Sequence, residues 1–90
     1  MNTTVIGIAS FPDLEAAFSA LDCGDIDALA DTARLVPLLP PSAPKKPLMR
    51  YAMACGNALS FRKFGLIEEA LHYERKADRI YNELPIAWKW

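Results

Sequence analysis

Chemistry in a short chain shows first as acids, bases, nucleophiles and metal ligands at workable spacings. His72 is the only histidine, with Glu68, Glu69 and Lys76 within a helical turn of it. A catalytic imidazole needs a nucleophile or an orienting acid in a pocket. Nothing in this spacing marks one, so His72 reads as a partly exposed structural side chain. Asp22, Asp25 and Asp27 are close enough in sequence to hold a divalent cation. They lack the glycine and the closing glutamate of a calcium loop, and helix capping and solvation account for them better. Cys23 and Cys55 have no Cys-x-x-Cys or Cys/His grouping around them, which excludes a zinc pattern and a dense disulfide framework. Free thiols are expected, with a single bridge between the halves as the alternative. The Gly-x-x-x-x-Gly-Lys, Gly-x-Gly-x-x-Gly and Gly-x-Ser-x-Gly patterns are absent. These residues predict no enzyme activity, no cofactor and no metal.

Two other sets could bind a macromolecule. Lys45, Lys46, Arg50, Arg62, Lys63, Arg75, Lys76 and Arg79 are interleaved with Tyr51, Phe61, Phe64 and Tyr73. Cations in such a set hold phosphates while rings stack on bases. However, acids are mixed among the cations of the last predicted helix, and most of the rings fall at core spacing, which favours a solvated face. The second set is Ala87-Trp88-Lys89-Trp90. Two tryptophans after the helix-breaking Pro85 either fold back over an open apolar groove or insert into a partner, where tryptophan is enriched among dominant contacts. The candidate partner contacts are therefore Trp88, Trp90, Arg62, Lys63, Arg75 and Lys76.

The elements that must position these residues are bounded by composition. Ninety residues with a hydrophobic share of 52% make one small domain with enough apolar surface to offset chain entropy. The net charge of −1 removes the simplest argument for a nucleic-acid binder. It hides an asymmetry: residues 1–44 carry six acids against Arg34, a net −5, whereas residues 45–90 carry nine Lys or Arg against five acids, a net +4. Oppositely charged helices packing within one monomer would explain this; head-to-tail self-association is the alternative. Residues 1–10 lack the basic flank and long apolar core of a signal peptide, and no apolar run approaches the ~20 residues of a membrane span, so a cytoplasmic protein is expected.

Residues 1–10 read as an extended arm. Ser10-Phe11-Pro12-Asp13 begins a helix with a capping serine and a proline in the first turn. Leu14, Ala17, Phe18 and Leu21 form its apolar stripe, and Gly24 closes it. Asp25 caps a second helix whose stripe is Ile26, Leu29, Ala30, Ala33 and Val36, giving a hairpin over 11–36. Residues 37–47 carry five prolines and read as a semi-rigid connector. Pro41 and Pro44 also have the spacing of an SH3 ligand, although a linker explains them without a partner. A third helix runs from about Leu48 to Phe64, with Leu48, Tyr51, Ala52, Cys55 and Ala58 toward the core. Gly56 inside it implies close approach of another helix. Gly65 turns the chain into a fourth helix with Ile67, Ala70, Leu71, Ala77, Ile80, Tyr81 and Leu84 on its buried stripe. Residues 85–90 are a tail.

From Ala58 to Leu84 the chain resembles a tetratricopeptide repeat. Ala58 and Phe61 match its first helix, Gly65 its turn, and Ile67, Ala70 and Ala77 its second helix, small residues letting the two approach. Ala54 and Asn57 stand where the family has its early tryptophan and leucine, and the closing proline comes late, at Pro85. The resemblance implies a helical hairpin that binds other proteins. One such hairpin cannot bury its own face, so the 11–36 hairpin is expected to cover the 48–84 hairpin.

The expected fold is therefore all-α, four helices in two antiparallel helical hairpins joined by a proline-rich connector. The expected function is a non-enzymatic protein–protein interaction module: an adaptor, a chaperone-like subunit or a small inhibitor of a protein complex, of the kind a mobile element encodes. The partner is another protein or a second copy of the chain, not a membrane. The alternative is a nucleic-acid-binding regulator using the basic second half.

Overall fold

The computed structural model describes residues 11–90; the expected arm over 1–10 and the Ser10 cap lie outside the described residues. Four α-helices are present: α1 (Phe11–Asp22), α2 (Ala28–Leu35), α3 (Lys45–Lys63) and α4 (Ile67–Glu83), with 3-10 turns at Val36–Leu38 and Ile86–Trp88. The described residues contain no strand. They pair as two hairpins, α1 with α2 and α3 with α4, and the all-α reading holds. No helix among the described residues is long and apolar enough to cross a membrane.

Both hairpin turns are set by a glycine in the left-handed region, Gly24 at φ 101° and Gly65 at φ 79°. At each, two amides turn back on the helix just ended. Asp25 N–H reaches the Ala20 carbonyl and Gly24 N–H that of Leu21; Leu66 N–H reaches Phe61 and Gly65 N–H reaches Arg62. This double closure satisfies carbonyls the helix end leaves open. Asp25 then organises the next turn, its carboxylate accepting Asp27 N–H at 3.0 Å.

The α1 stripe is as read: Leu14, Ala17, Phe18 and Leu21 are buried. The stripe expected for α2 is corrected. Ile26, Ala30 and Ala33 face solvent, while Ala28, Thr32 and Val36 are buried. Residues 25–27 form a separate turn before the helix begins, which rotates the buried face by about one residue. Thr32 can sit there because its hydroxyl donates to the Leu29 carbonyl at 2.8 Å, leaving no polar group unpaired. The proline connector is shorter than 37–47. Val36–Leu38 continues α2 as a 3-10 turn, and α3 already starts at Lys45. Pro47 is then the third residue of α3, where no intrahelical amide donor is missed.

The core joins α1 (Leu14, Phe18, Leu21) to α3 (Leu48, Tyr51, Ala52, Ala54), to α4 (Ala77, Ile80) and to Leu84 beyond it. Gly56 is where α2 meets α3: a Cβ there would stand 2.6 Å from Leu29 Cδ2. The close approach inferred from a mid-helix glycine is real. The expected burial of Ile67 and Leu71 is not; they are 45% and 37% exposed. They lie on the α4 face of Glu74 and Asp78, not on the buried face of Ala70, Ala77 and Ile80, and the first hairpin is too short to cover that face. At 1.5 Å per residue, α1 reaches roughly 18 Å and α3 roughly 28 Å, so the first hairpin covers one half of the second and the turn at Gly65 overhangs. The molecule is accordingly long, 49 × 25 × 17 Å.

Candidate interaction site

Asp22 ends α1, and its carboxylate ties three elements together. Oδ1 accepts the Tyr51 hydroxyl of α3 at 2.9 Å and the Cys55 thiol at 3.8 Å. Oδ2 accepts the Trp90 indole N–H at 3.1 Å. The Trp90 ring stacks on Phe18, centroids 4.5 Å apart and planes 3° from parallel. Tyr51 and Tyr81 meet it edge-on at 5.1 and 4.9 Å, and the Tyr81 hydroxyl donates to the Trp90 carbonyl. Trp88 packs edge-on against Phe11 at 5.6 Å, and Lys89 Nζ donates to the Asn82 carbonyl at 3.2 Å. Of the two alternatives open for the tail, folding back on its own chain is the one adopted.

Beside this node lies a cleft of about 280 Å³ between the end of α1 and the α3–α4 pair. Leu21, Ala58, Leu59 and Ala77 give it an apolar floor, and Asp22, Glu74 and Asp78 place three carboxylates on its walls. Tyr51 and Cys55 complete the lining. Burial, reinforced by Cys55 and Asp22, pushes the Tyr51 phenol well above its ordinary range. Burial also pushes the Cys55 thiol up to about 12, with Asp22 and Asp78 adding to it and the Tyr51 hydrogen bond acting the other way. Both groups therefore stay protonated and neutral near pH 7.

The cationic candidates do not gather into one surface with the tryptophans. Arg62 is held by Glu74, Nη2 to Oε2 at 2.7 Å. Lys63 and Arg75 are exposed. Lys76 lies 5.9 Å over the Tyr73 ring. Tyr73 itself stacks on Phe61 at 5.5 Å, so these rings are occupied by each other. Along α3, Lys63 is roughly 18 Å from Tyr51, where Trp90 sits. His72 is exposed and touches Tyr73 edge-on at 5.1 Å. The acidic first-half hairpin and the basic second one are not joined by the pairs Arg34–Asp31 and Arg62–Glu74, each of which lies inside one hairpin. Among the described residues no group of three or more His, Cys, Asp or Glu could hold a metal ion.

What sequence reasoning missed is the overhang. Phe64 is 76% exposed, and Leu66, Ile67 and Leu71, next along the same end of the hairpin, are exposed too. A signal was present: turns are ordinarily polar, yet Phe64-Gly65-Leu66-Ile67 is apolar on both sides of its glycine. Comparison of the chain with family models, with curated proteins and with solved structures finds no match.

Proposed function

We propose that this protein is a non-enzymatic protein-binding module whose contact surface is the overhanging end of the α3–α4 hairpin and the face that runs from it toward α1. The observation that carries this reading is the exposure of Phe64, Leu66, Ile67 and Leu71 on one end of a chain of only 90 residues. Apolar side chains grouped on a small protein's surface mark interaction sites more often than chance exposure. The tetratricopeptide-like placement of small Ala58, Ala70 and Ala77 where α3 and α4 meet supports the same class of function. An adaptor, a chaperone-like subunit or an inhibitor of a cytoplasmic complex would each use such a surface, as would a second copy of the chain. The nucleic-acid alternative is weaker, because Arg62 is already paired with Glu74 and the candidate stacking rings Phe61 and Tyr73 cover each other.

The test is capture from the native cell with the tagged full chain, wild type against a Phe64→Ser/Leu71→Ser variant whose helicity is verified by circular dichroism. The folded variant is expected to lose the partners that wild type retains. Identical partner sets for the two proteins would remove the overhang as the contact. Nucleic acid retained by wild type at low salt, and released as salt rises, would favour the alternative.

A further inference from the structure

Four residues of α4, Ile67, Leu71, Glu74 and Asp78, recur at i, i+4, i+7 and i+11 and so share one face of the helix. That face starts on the bare overhang, where Ile67 and Leu71 are exposed, and ends inside the cleft that Glu74 and Asp78 line. The face thus has an apolar end and an acidic end. We propose that it receives an amphipathic helical segment of a partner protein. The segment lays apolar side chains on Ile67 and Leu71 and inserts one lysine or arginine into the cleft.

Charge and shape at the acidic end select that occupant. Arg62 compensates Glu74. Among the described residues Asp22 accepts from Tyr51, Cys55 and Trp90, all neutral donors, and Asp78 has no ion pair. Among those residues two carboxylates thus have no cation around an apolar floor of Leu21, Ala58, Leu59 and Ala77. A long cationic side chain fits both parts, its aliphatic stem on the floor and its charged head at the rim. A purely apolar side chain would desolvate the carboxylates without replacing their hydrogen bonds, and an acidic one would be repelled. The spacing follows from the same helix. Leu71 and Asp78 are about 10 Å apart along the axis at 1.5 Å per residue. A partner helix lying beside α4 therefore carries its cation roughly two turns from its apolar contact.

This inference rests on the protein-binding reading and specifies the partner's chemistry, so the experiment separates the two. A displayed library of random peptides long enough for four helical turns is selected on the folded full chain. Selected peptides are synthesised, and their affinities measured for wild type, Asp78→Asn and Leu71→Ser. Enrichment of a Lys or Arg two turns from a leucine-class residue is expected. Asp78→Asn should weaken binding about two- to fivefold, within the range for exposed charge pairs. A Lys→Gln or Arg→Gln peptide should lose the same factor and be indifferent to Asp78→Asn. Selected peptides that lack a cation, or that bind wild type and Asp78→Asn equally, overturn the cation site. If those peptides still fail on Leu71→Ser, the protein-binding reading survives. If nothing is selected, or selected peptides ignore both substitutions, both are overturned.

Discussion

At the scale of single residues, Tyr51 and Cys55 share one acceptor, Asp22 Oδ1, and both resist ionisation. For Cys55 the consequence has a definite sign. Its thiol rises from 9.0 to about 12 on folding, so the folded state holds the proton more tightly than the unfolded chain. The stability this contributes is complete below about pH 9 and is lost as pH climbs toward about 12. Tyr51 acts in the same direction. Alkaline titration followed by circular dichroism should show unfolding set on by base, with a shallower slope in Cys55→Ala. Reactivity follows the same cause, since the thiolate is the nucleophile. Iodoacetamide near pH 8 should label the exposed Cys23 well ahead of Cys55, resolved by peptide mass spectrometry; equal rates would contradict the burial of Cys55.

At the scale of elements, the junction of the two hairpins turns on Gly56 and Leu29. A Cβ on Gly56 overlaps Leu29 Cδ2, but that atom is the far end of a flexible side chain. Alanine also gains about 1 kcal/mol over glycine within a helix. Gly56→Ala should therefore change stability by less than about 1 kcal/mol. In a Leu29→Ala background the overlap is gone, and the same substitution should stabilise by about 1 kcal/mol. Urea unfolding of the four proteins of this cycle measures the difference, and zero coupling would mean the helices do not meet there. The glycines were legible as punctuation in the sequence, because only glycine tolerates φ near 101° or 79° without strain. The buried face of α2 was not legible. The turn at residues 25–27 shifts the start of that helix, and a hydrophobic pattern as short as eight residues does not fix its own phase.

At the scale of the whole molecule, the tail adds to the core contacts that bind the two hairpins at their covered end. Trp90 touches Phe18 of α1, Tyr51 of α3 and Tyr81 of α4, and bonds to Asp22. Trp90→Ala should cost about 2–4 kcal/mol, toward the lower side of the ~3–5 kcal/mol range for a buried tryptophan because the side chain is only partly buried. A 90-residue domain has only about 5–13 kcal/mol of stability in all. The melting temperature should therefore fall by more than about 10 °C in a thermal scan. A shift of only a degree or two would mean that the tail merely rests on the core. Its two tryptophans stood out from sequence as unexplained by helical packing, but whether they faced inward had no local determinant.

By itself the sequence determined the local elements: four helices, their glycine closures, the α1 stripe and the close approach at Gly56. These depend on backbone sterics and on periodicity within a turn or two of chain. Only the tertiary structure decided which apolar residues are covered. Ile67 and Leu71 read from sequence as one stripe with Ala77 and Ile80, but in the folded chain they share the α4 face of Glu74 and Asp78, which α1 and α2 are too short to cover at the Gly65 end. The same mismatch in length brings the end of α1 beside Glu74 and Asp78, making an acidic cleft from residues 52 to 56 positions apart along the chain. No local pattern encodes that meeting, because it is set by how far one hairpin extends past the other.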